Sequence, residues 1–378
     1  MRCPTCLAQV AGQAPPLQAA GPALLRCPRC DRRYPLAAGG GYVDLMPRAA
    51  ADLGHTSRYV ADLAEFAERL DYREMAPPLL GAAVRNRLLH RMLHLTPRDR
   101  VLELGCGNGK FLLWNRDRVA WSVGLDPAPL FADEAVRRLD LVQGDARLLP
   151  FPDRSFSKLW SIDVLEHLAR PDIDRYLAEA YRVLAPGGRL FIFSNTRERG
   201  PFDLLVSGSR RLANWLARQD LADPRRDLLR KSDHLKVLET WEDVVTAVTA
   251  AGFELRRVVY WNGVFQSFLD NVLLRVAERL LVRLRGNPTS RLPSLSEKEA
   301  PDSPPRAGEG LGERSHQDAL GQGALAARST VRARLGHGGP LLWLLRALTA
   351  LMWLDIVLFG RFRTGPYFVL LRKPPRPP

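Results

Sequence analysis

The residues of this sequence best suited to chemistry stand near the ends of short apolar segments. Glu103 lies within VLELGCGNGK (101–110), just before a loop with three alternate glycines. Asp126 ends the segment WSVGLD, and Asp145 ends LDLVQGD. In an open α/β sheet the carboxyl ends of the strands form the ligand-binding edge. We therefore expect these three carboxylates to face one ligand at that edge.

The spacing of the glycines narrows the choice of ligand. Gly105, Gly107 and Gly109 give G-x-G-x-G, whereas dinucleotide-binding folds use G-x-G-x-x-G. The carboxylate of Glu103 would repel a pyrophosphate and attract a cation. Both features disfavour a dinucleotide.

The two aspartates suggest which groups the ligand carries. Asp126 is placed to accept hydrogen bonds from ribose hydroxyls, and Asp145, followed by Ala146, suits an adenine amino group. A lone aspartate at a strand end is more often a turn former, so the ordered set carries the prediction. A ligand with ribose, adenine and a positive charge but no phosphate fits, and S-adenosylmethionine is such a ligand.

Four of the five cysteines form a second candidate site. Cys3, Cys6, Cys27 and Cys30 make two C-x2-C pairs separated by 20 residues, close to the spacing of a four-cysteine zinc ribbon. Four thiolates leave zinc no open position, so we expect a structural ion. Two disulfides are the alternative, which a reducing cytosol disfavours. A cytoplasmic protein is expected because MRCPTCLAQV has no apolar signal core.

These residues need a scaffold, which the apolar pattern predicts. From residue 100 onward, short strand-like segments alternate with helical patterns: VLELG, WSVGLD, LDLVQGD, KLWSID, RLFIFSN and FELRRVVY. Such alternation is typical of an α/β fold with a largely parallel sheet and helices on both faces. Two arginine-rich helical stretches, Tyr59–Leu95 and Gly200–Lys236, are expected to form a lid over the site.

The ordered motifs resemble those of the class I S-adenosylmethionine-dependent methyltransferases, most closely the branch with the quinone-biosynthesis enzymes. The segments are VLELGCGNG, GDARLLPFPDRSFSKLWSIDVLEHL and YRVLAPGGRLFIFSN, and the resemblance covers roughly residues 55–262 and 364–374. It implies an enzyme with a Rossmann-like sheet of seven strands. The last strand, in GPYFVLLRKP, would run antiparallel beside FELRRVVY. S-adenosylmethionine would be the methyl donor.

The cysteine unit has a resemblance of its own. LRCPRCDRRYPLAAGGGYVDLMP resembles the zinc element of the ribosomal RNA guanine-N1 methyltransferases, and equally the small zinc-ribbon proteins that activate methyltransferases. The predicted organisation follows: a zinc ribbon at 1–47, a methyltransferase core at 48–262, an amphipathic helix at 263–285, a disordered insert at 286–339, and an apolar helix with the last strand at 340–378.

The catalytic residues and the methyl acceptor stay open at this stage. Methyl transfer depends mainly on positioning, and a base is needed only if the acceptor loses a proton. His167 and His234 are the candidates for that base. We favour a lipid-like or other small acceptor, because two apolar segments, Phe265–Leu284 and Leu341–Phe359, lie outside the core motifs. Ribosomal or transfer RNA is the alternative, favoured by the ribbon and the net charge of +14. A non-catalytic cofactor-binding scaffold is the third.

The two apolar segments are expected to pack on the domain as a helix pair, without a transmembrane span. The alternative is a peripheral contact with a membrane. In that case Arg275, Arg279 and Arg283 would lie near the lipid headgroups, opposite the apolar face of the first segment.

Overall fold

The fold is built on one eight-stranded sheet with helices on both faces. The computed structural model describes residues 1–3, 6, 17–21, 24–35, 41–46, 58–63, 75–222, 234–284 and 339–375. The predicted disordered insert at 286–339 lies outside these ranges except for its last residue.

The strands and helices are numbered here in chain order. The strands are β1 (Gln18–Gly21), β2 (Leu24–Arg26), β3 (Arg33–Pro35), β4 (Tyr42–Asp44), β5 (Arg100–Leu104), β6 (Trp121–Asp126), β7 (Asp140–Gln143), β8 (Phe156–Ile162), β9 (Leu184–Asn195), β10 (Glu254–Tyr260) and β11 (Pro366–Arg372). The helices are α1 (Arg58–Ala61), α2 (Leu80–Leu93), α3 (Lys110–Asn115), α4 (Asp133–Arg138), α5 (Arg170–Val183), α6 (Asp203–Arg218), α7 (Trp241–Ala250), α8 (Val264–Phe268), α9 (Leu274–Leu284) and α10 (Pro340–Phe359).

The sheet confirms the predicted topology and extends it by one strand. Its order is β10-β11-β9-β8-β5-β6-β7-β4. As predicted, β11 runs antiparallel, between β10 and β9. The additional strand, β4, comes from the cysteine unit and pairs in parallel with β7. It covers the β7 edge, which would otherwise expose unpaired backbone groups.

The two faces of the sheet carry separate apolar cores. On one face α5 and α7 contribute Ile173, Leu177 and Val244. On the other face α2 and α10 contribute Leu89 and Met352. Because both faces are covered, the central strands are buried along nearly their whole length, which explains their continuous apolar sequence.

The amphipathic segment Phe265–Leu284 does not turn all three of its arginines outward, as the membrane alternative requires. It forms α8 and α9, which are joined by a π-helical turn, Leu269–Leu273. Arg279 is buried, and its guanidinium donates to both carboxylate oxygens of Asp220 at 2.5 and 2.6 Å. Arg283 also pairs with Asp220. The headgroup contact of Arg279 in the membrane alternative is therefore wrong, because this buried side chain pairs with Asp220, two residues after α6.

Helix α10 packs on the domain although it is strongly apolar. Among the described residues it is the one helix long and apolar enough to cross a membrane, with a mean hydropathy of 1.9. Its inner face packs on α2 and α8. Asp355 on that face is fully buried and accepts hydrogen bonds from the backbone N–H groups of Phe265 and Gln266, both at 2.9 Å. This carboxylate therefore fastens α10 to the first turn of α8.

We predict that Asp355→Ala lowers the free energy of unfolding by about 2–4 kcal/mol, because two partly buried N–H groups lose their acceptor. Asp355→Asn keeps one acceptor oxygen and should cost less. Urea denaturation followed by circular dichroism measures both. The matched control, Asp117→Ala, removes a side chain that is 83% exposed and should stay within about 0.5 kcal/mol of the parent. An equal, small effect of all three changes would contradict the anchoring role.

Candidate cofactor site and zinc centre

The glycine loop lies at the carboxyl end of β5 and leads into α3. The backbone φ angles of Gly105, Gly107 and Gly109 are 71°, 53° and 84°, a region that side-chain-bearing residues rarely adopt. A Cβ on Gly105 would overlap Val164, and a Cβ on Gly109 would lie 2.8 Å from the Cβ of Ala135. At Gly107 a Cβ would meet nothing within 4 Å. The loop is thus closely packed beneath and open above, as a cradle for a ligand requires.

Asp126, at the end of β6, holds this loop in place. Its Oδ2 accepts a hydrogen bond from the Gly107 N–H at 2.7 Å, and its Oδ1 accepts one from Ala128 N–H at 2.9 Å. Burial raises the pKa of Asp126 to about 6, against the opposing effect of these two N–H groups and of His167. The predicted ribose acceptor therefore adjoins the open position at Gly107.

Glu103 is the most deeply buried of the three predicted carboxylates. It lies on β5 beside Trp160 of β8, and burial raises its pKa well above the ordinary value. Its Oε2 has no hydrogen-bond partner among the described residues. An orphaned carboxylate oxygen is costly inside a protein. Its presence next to the glycine loop fits a site that receives a cationic ligand.

Asp145 is in place beyond the end of β7, but its carboxylate already has a partner. The guanidinium of Arg147 donates to both oxygens at 2.6–3.1 Å, and Arg147 also reaches Asp172 at 2.8 Å. An adenine amino group would have to share Asp145 with Arg147. Ala146 is partly buried against the apolar core on this side. The adenine contact of these two residues stays a prediction.

The structure brings together the two histidines that the sequence singled out separately. The rings of His167 and His234 are perpendicular, with their centroids 4.8 Å apart. His167 ends a 3₁₀ turn, Leu165–His167, after β8. His234 lies on the segment that follows α6 in the chain. Because β6 and β8 both run parallel to β5, His167 after β8 and Asp126 at the end of β6 lie at the same edge of the sheet.

Glu166 fixes this histidine pair, a role the sequence did not indicate. Its backbone carbonyl accepts from the N–H groups of Leu235 and Lys236 at 2.7 and 3.0 Å. Its buried carboxylate accepts from the Ser194 hydroxyl at 2.7 Å and the Asn195 amide at 3.0 Å, both at the end of β9. One residue therefore ties the turn after β8 to β9 and to the segment carrying His234.

A ring nitrogen of each histidine and a Glu166 oxygen all lie within 4.8 Å of one another. This spacing would suit a metal ion. However, both carboxylate oxygens of Glu166 are engaged by Ser194 and Asn195. We therefore interpret the cluster as a positioned histidine pair.

Arg85 is a further residue of this region that the sequence did not single out. It projects from α2 and forms an ion pair with Asp163, just after β8, at 3.5 Å. Its guanidinium also lies over the rings of Phe193 and Trp261, at 4.6 and 5.6 Å from their centroids. Part of the predicted lid, helix α2, thus reaches the carboxyl edge through Arg85. The arginine-rich pattern predicted the helix, but not which arginine turns inward.

The four N-terminal cysteines form one compact cluster. Their sulfur atoms all lie within 4.8 Å of one another, with Cys3–Cys30 and Cys6–Cys27 separations of 3.6 and 3.7 Å. A tetrahedron with Zn–S bonds of about 2.3 Å has edges of about 3.8 Å. The Tyr34 hydroxyl lies 3.0 Å from the Cys3 sulfur, a distance suited to an outer-shell hydrogen bond to a thiolate. The donor set and its geometry therefore fit zinc, as predicted.

Known proteins match the region that holds the cofactor edge. Residues 102–192 match the family model described as a methyltransferase domain. The fatty-acid O-methyltransferase of Mycolicibacterium smegmatis is 36% identical over 138 residues, which cover 33% of this chain and 49% of that protein. The ubiquinone biosynthesis O-methyltransferase of Azorhizobium caulinodans is 32% identical over 126 residues, covering 32% and 49%. A probable tRNA methyltransferase of Mus musculus is 33% identical over 127 residues, covering 32% and 28%.

The chain spans about half the length, or less, of these three relatives. The match to the family model runs from β5 into β9. The topology and the site define a class I methyltransferase fold. This chain contains an S-adenosylmethionine-dependent methyltransferase domain of that class.

We predict that the purified protein carries about one zinc ion per chain and that Cys3→Ser with Cys27→Ser removes it, because two of four ligands are lost. Plasma emission spectrometry measures the metal. The control is Cys106→Ser, which changes the cysteine outside the cluster and should leave the zinc in place. After denaturation with a chelator and without reductant, all five cysteines should react as thiols. A single reactive thiol would instead indicate two disulfides.

Proposed function

We propose that this protein transfers a methyl group from S-adenosylmethionine to a lipid-like or other small molecule. The observation that carries the proposal is the meeting, at one edge of the sheet, of an open glycine loop, Asp126 and the His167–His234 pair. The glycine loop and Asp126 suit a nucleoside. The two histidines supply titratable groups at the same edge.

S-adenosylmethionine supplies, when bound, a methyl group activated by a positively charged sulfur. Asp126 would accept hydrogen bonds from the ribose hydroxyls, above the open position at Gly107. The unpartnered oxygen of Glu103 would attract the cationic end of the ligand. Asp145 and Ala146 are the proposed contacts of the adenine ring. Together these residues hold the donor in one orientation, which is the main contribution a protein makes to this reaction.

His167 is the proposed general base. An acceptor hydroxyl or amine gives up a proton as it is methylated, and an imidazole with a pKa near neutrality is suited to receive it. His234 packs edge-to-face against His167, and the backbone of Glu166 holds the segment that follows His234. The two rings are thereby kept in one arrangement.

A small, apolar acceptor is supported by the helices that lie outside the matched region 102–192. The helices added to the core, α6, α8, α9 and α10, are rich in large apolar side chains. The first relatives named above act on a fatty acid and in ubiquinone biosynthesis. We accordingly propose a cytoplasmic enzyme that contacts the membrane peripherally.

RNA is the second candidate acceptor, because a specific feature favours it. Four arginines surround the second cysteine pair, Arg26, Arg29, Arg32 and Arg33. A zinc ribbon that binds RNA phosphates would explain them. A cofactor-binding scaffold without catalysis is the third candidate, and the labelling experiment below separates all three.

We predict that S-adenosylmethionine binds about tenfold more weakly at pH 5 than at pH 8, because ribose hydroxyls donate to the ionised carboxylate of Asp126, whose pKa is about 6. The contribution of Asp126 to folding stability changes with pH in the opposite direction. A carboxyl whose pKa is higher in the folded than in the unfolded state stabilises the fold on the acid side, and that contribution falls as the pH rises from about 4 to 6. This group therefore weakens binding at low pH without itself unfolding the protein.

Isothermal titration calorimetry across that range measures the effect. Asp126→Asn should bind more weakly at every pH and lose the pH dependence. The control Asp133→Asn changes an exposed carboxyl on α4 and should keep it. A pH-independent affinity in the parent protein would contradict the role of Asp126.

We predict that methyl label from S-adenosylmethionine enters the lipid or small-molecule fraction of a lysate. His167→Asn should slow the labelling by about 100-fold, the contribution of a general base, and change cofactor affinity by no more than about twofold. His94→Asn is the matched control, since His94 is exposed and has a left-handed φ of 52° that asparagine tolerates.

The other two possible outcomes favour the other two candidate functions. Label in RNA that is lost with Cys27→Ser and Cys30→Ser would favour the RNA alternative. Cofactor binding without label in any fraction would favour the scaffold.

A further inference from the structure

The outward face of α10 is an unusually large apolar surface. Only 11% of the most apolar stretch of this helix is buried. The exposed side chains include Trp343 at 68%, Leu344 at 55%, Val357 at 60% and Leu358 at 53%. Scattered exposed apolar residues are ordinary, but a continuous apolar helix face indicates contact with a partner or a membrane.

A basic groove runs along one margin of this face. It lies between α2, β10 and α10 and has a volume of about 480 Å³. Its walls include Met92, Ile356 and Val357, and three arginines contribute to it: Arg91, Arg257 and Arg361. None of the described residues that line it is acidic.

These three arginines lack the carboxylate partners that other arginines of this protein have. Arg279 is held by Asp220, and Arg363 is held between Glu198 and Glu242. Within the described residues, Arg91, Arg257 and Arg361 form no ion pair with a carboxylate. Arg91 instead lies over the ring of Trp353, 4.8 Å from its centroid. All three are exposed, so water screens their mutual repulsion, and together they give the groove a positive charge that attracts an anion.

We infer that the groove binds the phosphate headgroup of an anionic phospholipid while the outward face of α10 lies in the membrane interface. The occupant follows from the two surfaces taken together. A cationic groove selects phosphate, and the apolar face beside it selects acyl chains. A bilayer presents both side by side. Arg346 is exposed on α10 and is long enough to extend to the headgroup level.

This inference gives the proposed peripheral membrane contact a definite site and a lipid class. It also replaces the headgroup contacts that the membrane alternative assigned to Arg275, Arg279 and Arg283, since Asp220 pairs with the last two. It does not rest on methyl transfer, because binding to a membrane needs neither cofactor nor acceptor. Its failure would therefore leave the proposed reaction untouched.

The test is co-sedimentation of the full chain with vesicles, without S-adenosylmethionine. One set contains phosphatidylcholine alone, and the other contains phosphatidylglycerol as well. We expect tighter binding to the anionic vesicles, weakening as salt is added. The triple variant R91Q/R257Q/R361Q should lose on the order of 100-fold in affinity for them, as three headgroup contacts predict.

The matched control removes the same charge elsewhere. Arg118, Arg137 and Arg154 are exposed and precede β6, β7 and β8, away from β10. R118Q/R137Q/R154Q should bind within about threefold of the parent protein, because distant charges are screened. L344Q/L354Q/L358Q, which changes only exposed side chains of α10, should weaken binding by about tenfold or more. Brominated lipids should quench tryptophan fluorescence, and Trp343→Phe should reduce the quenching.

Three results would overturn the inference. The first is equal affinity for neutral and anionic vesicles, or binding to neither. The second is an equal loss in the two arginine triples, which would mean that net charge alone acts. The third is a stable dimer in analytical ultracentrifugation that L344Q/L354Q/L358Q dissociates, since a second copy would then cover the face.

Discussion

The carboxylate and carbonyl of one buried residue, Glu166, join the segments on which the acceptor side of the site depends. Glu166 lies in the 3₁₀ turn after β8, and both the end of β9 and the segment after His234 donate hydrogen bonds to it. Arg197 adds a second attachment, since its guanidinium donates to the Leu235 carbonyl at 3.0 Å. With these contacts, the histidine pair is held beside the same sheet edge that presents Asp126 and the glycine loop. Burial raises the pKa of Glu166, and its partners are hydroxyl, amide and peptide groups rather than a full counter-charge.

A second buried carboxylate, that of Asp355, positions the apolar helix α10. Asp355 lies on the inner face of a helix that is otherwise apolar and accepts from the first N–H groups of α8. The inner face of α10 therefore packs against the domain, while its outer face is apolar and exposed. The same helix therefore serves as a structural element and as a surface, and β11 follows it directly into the sheet. The cofactor edge and the apolar surface are consequently parts of one packed unit.

The sequence predicted the parts of the fold that local patterns determine. The strands were visible because β5 to β9 are buried on both faces and read as continuous apolar runs, and three alternate glycines marked the turn that needs positive φ. The remaining features depend on partners distant in the chain. The strand Tyr42–Asp44 exists because β7 has a free edge. Arg279 turns inward because Asp220 meets it, and His167 meets His234 through the backbone of Glu166. The local sequence pattern does not indicate such contacts between residues that are distant in the chain.

The central claim is that the edge holding the nucleoside directs the methyl group toward the histidine pair. A crystal structure with S-adenosylhomocysteine, the demethylated product of the donor, tests it most directly. The account predicts ribose hydroxyls on the Asp126 carboxylate, the nucleoside above Gly107, and the sulfur facing His167 and His234. A product bound elsewhere, or bound at this edge with its sulfur directed away from the two histidines, would contradict it.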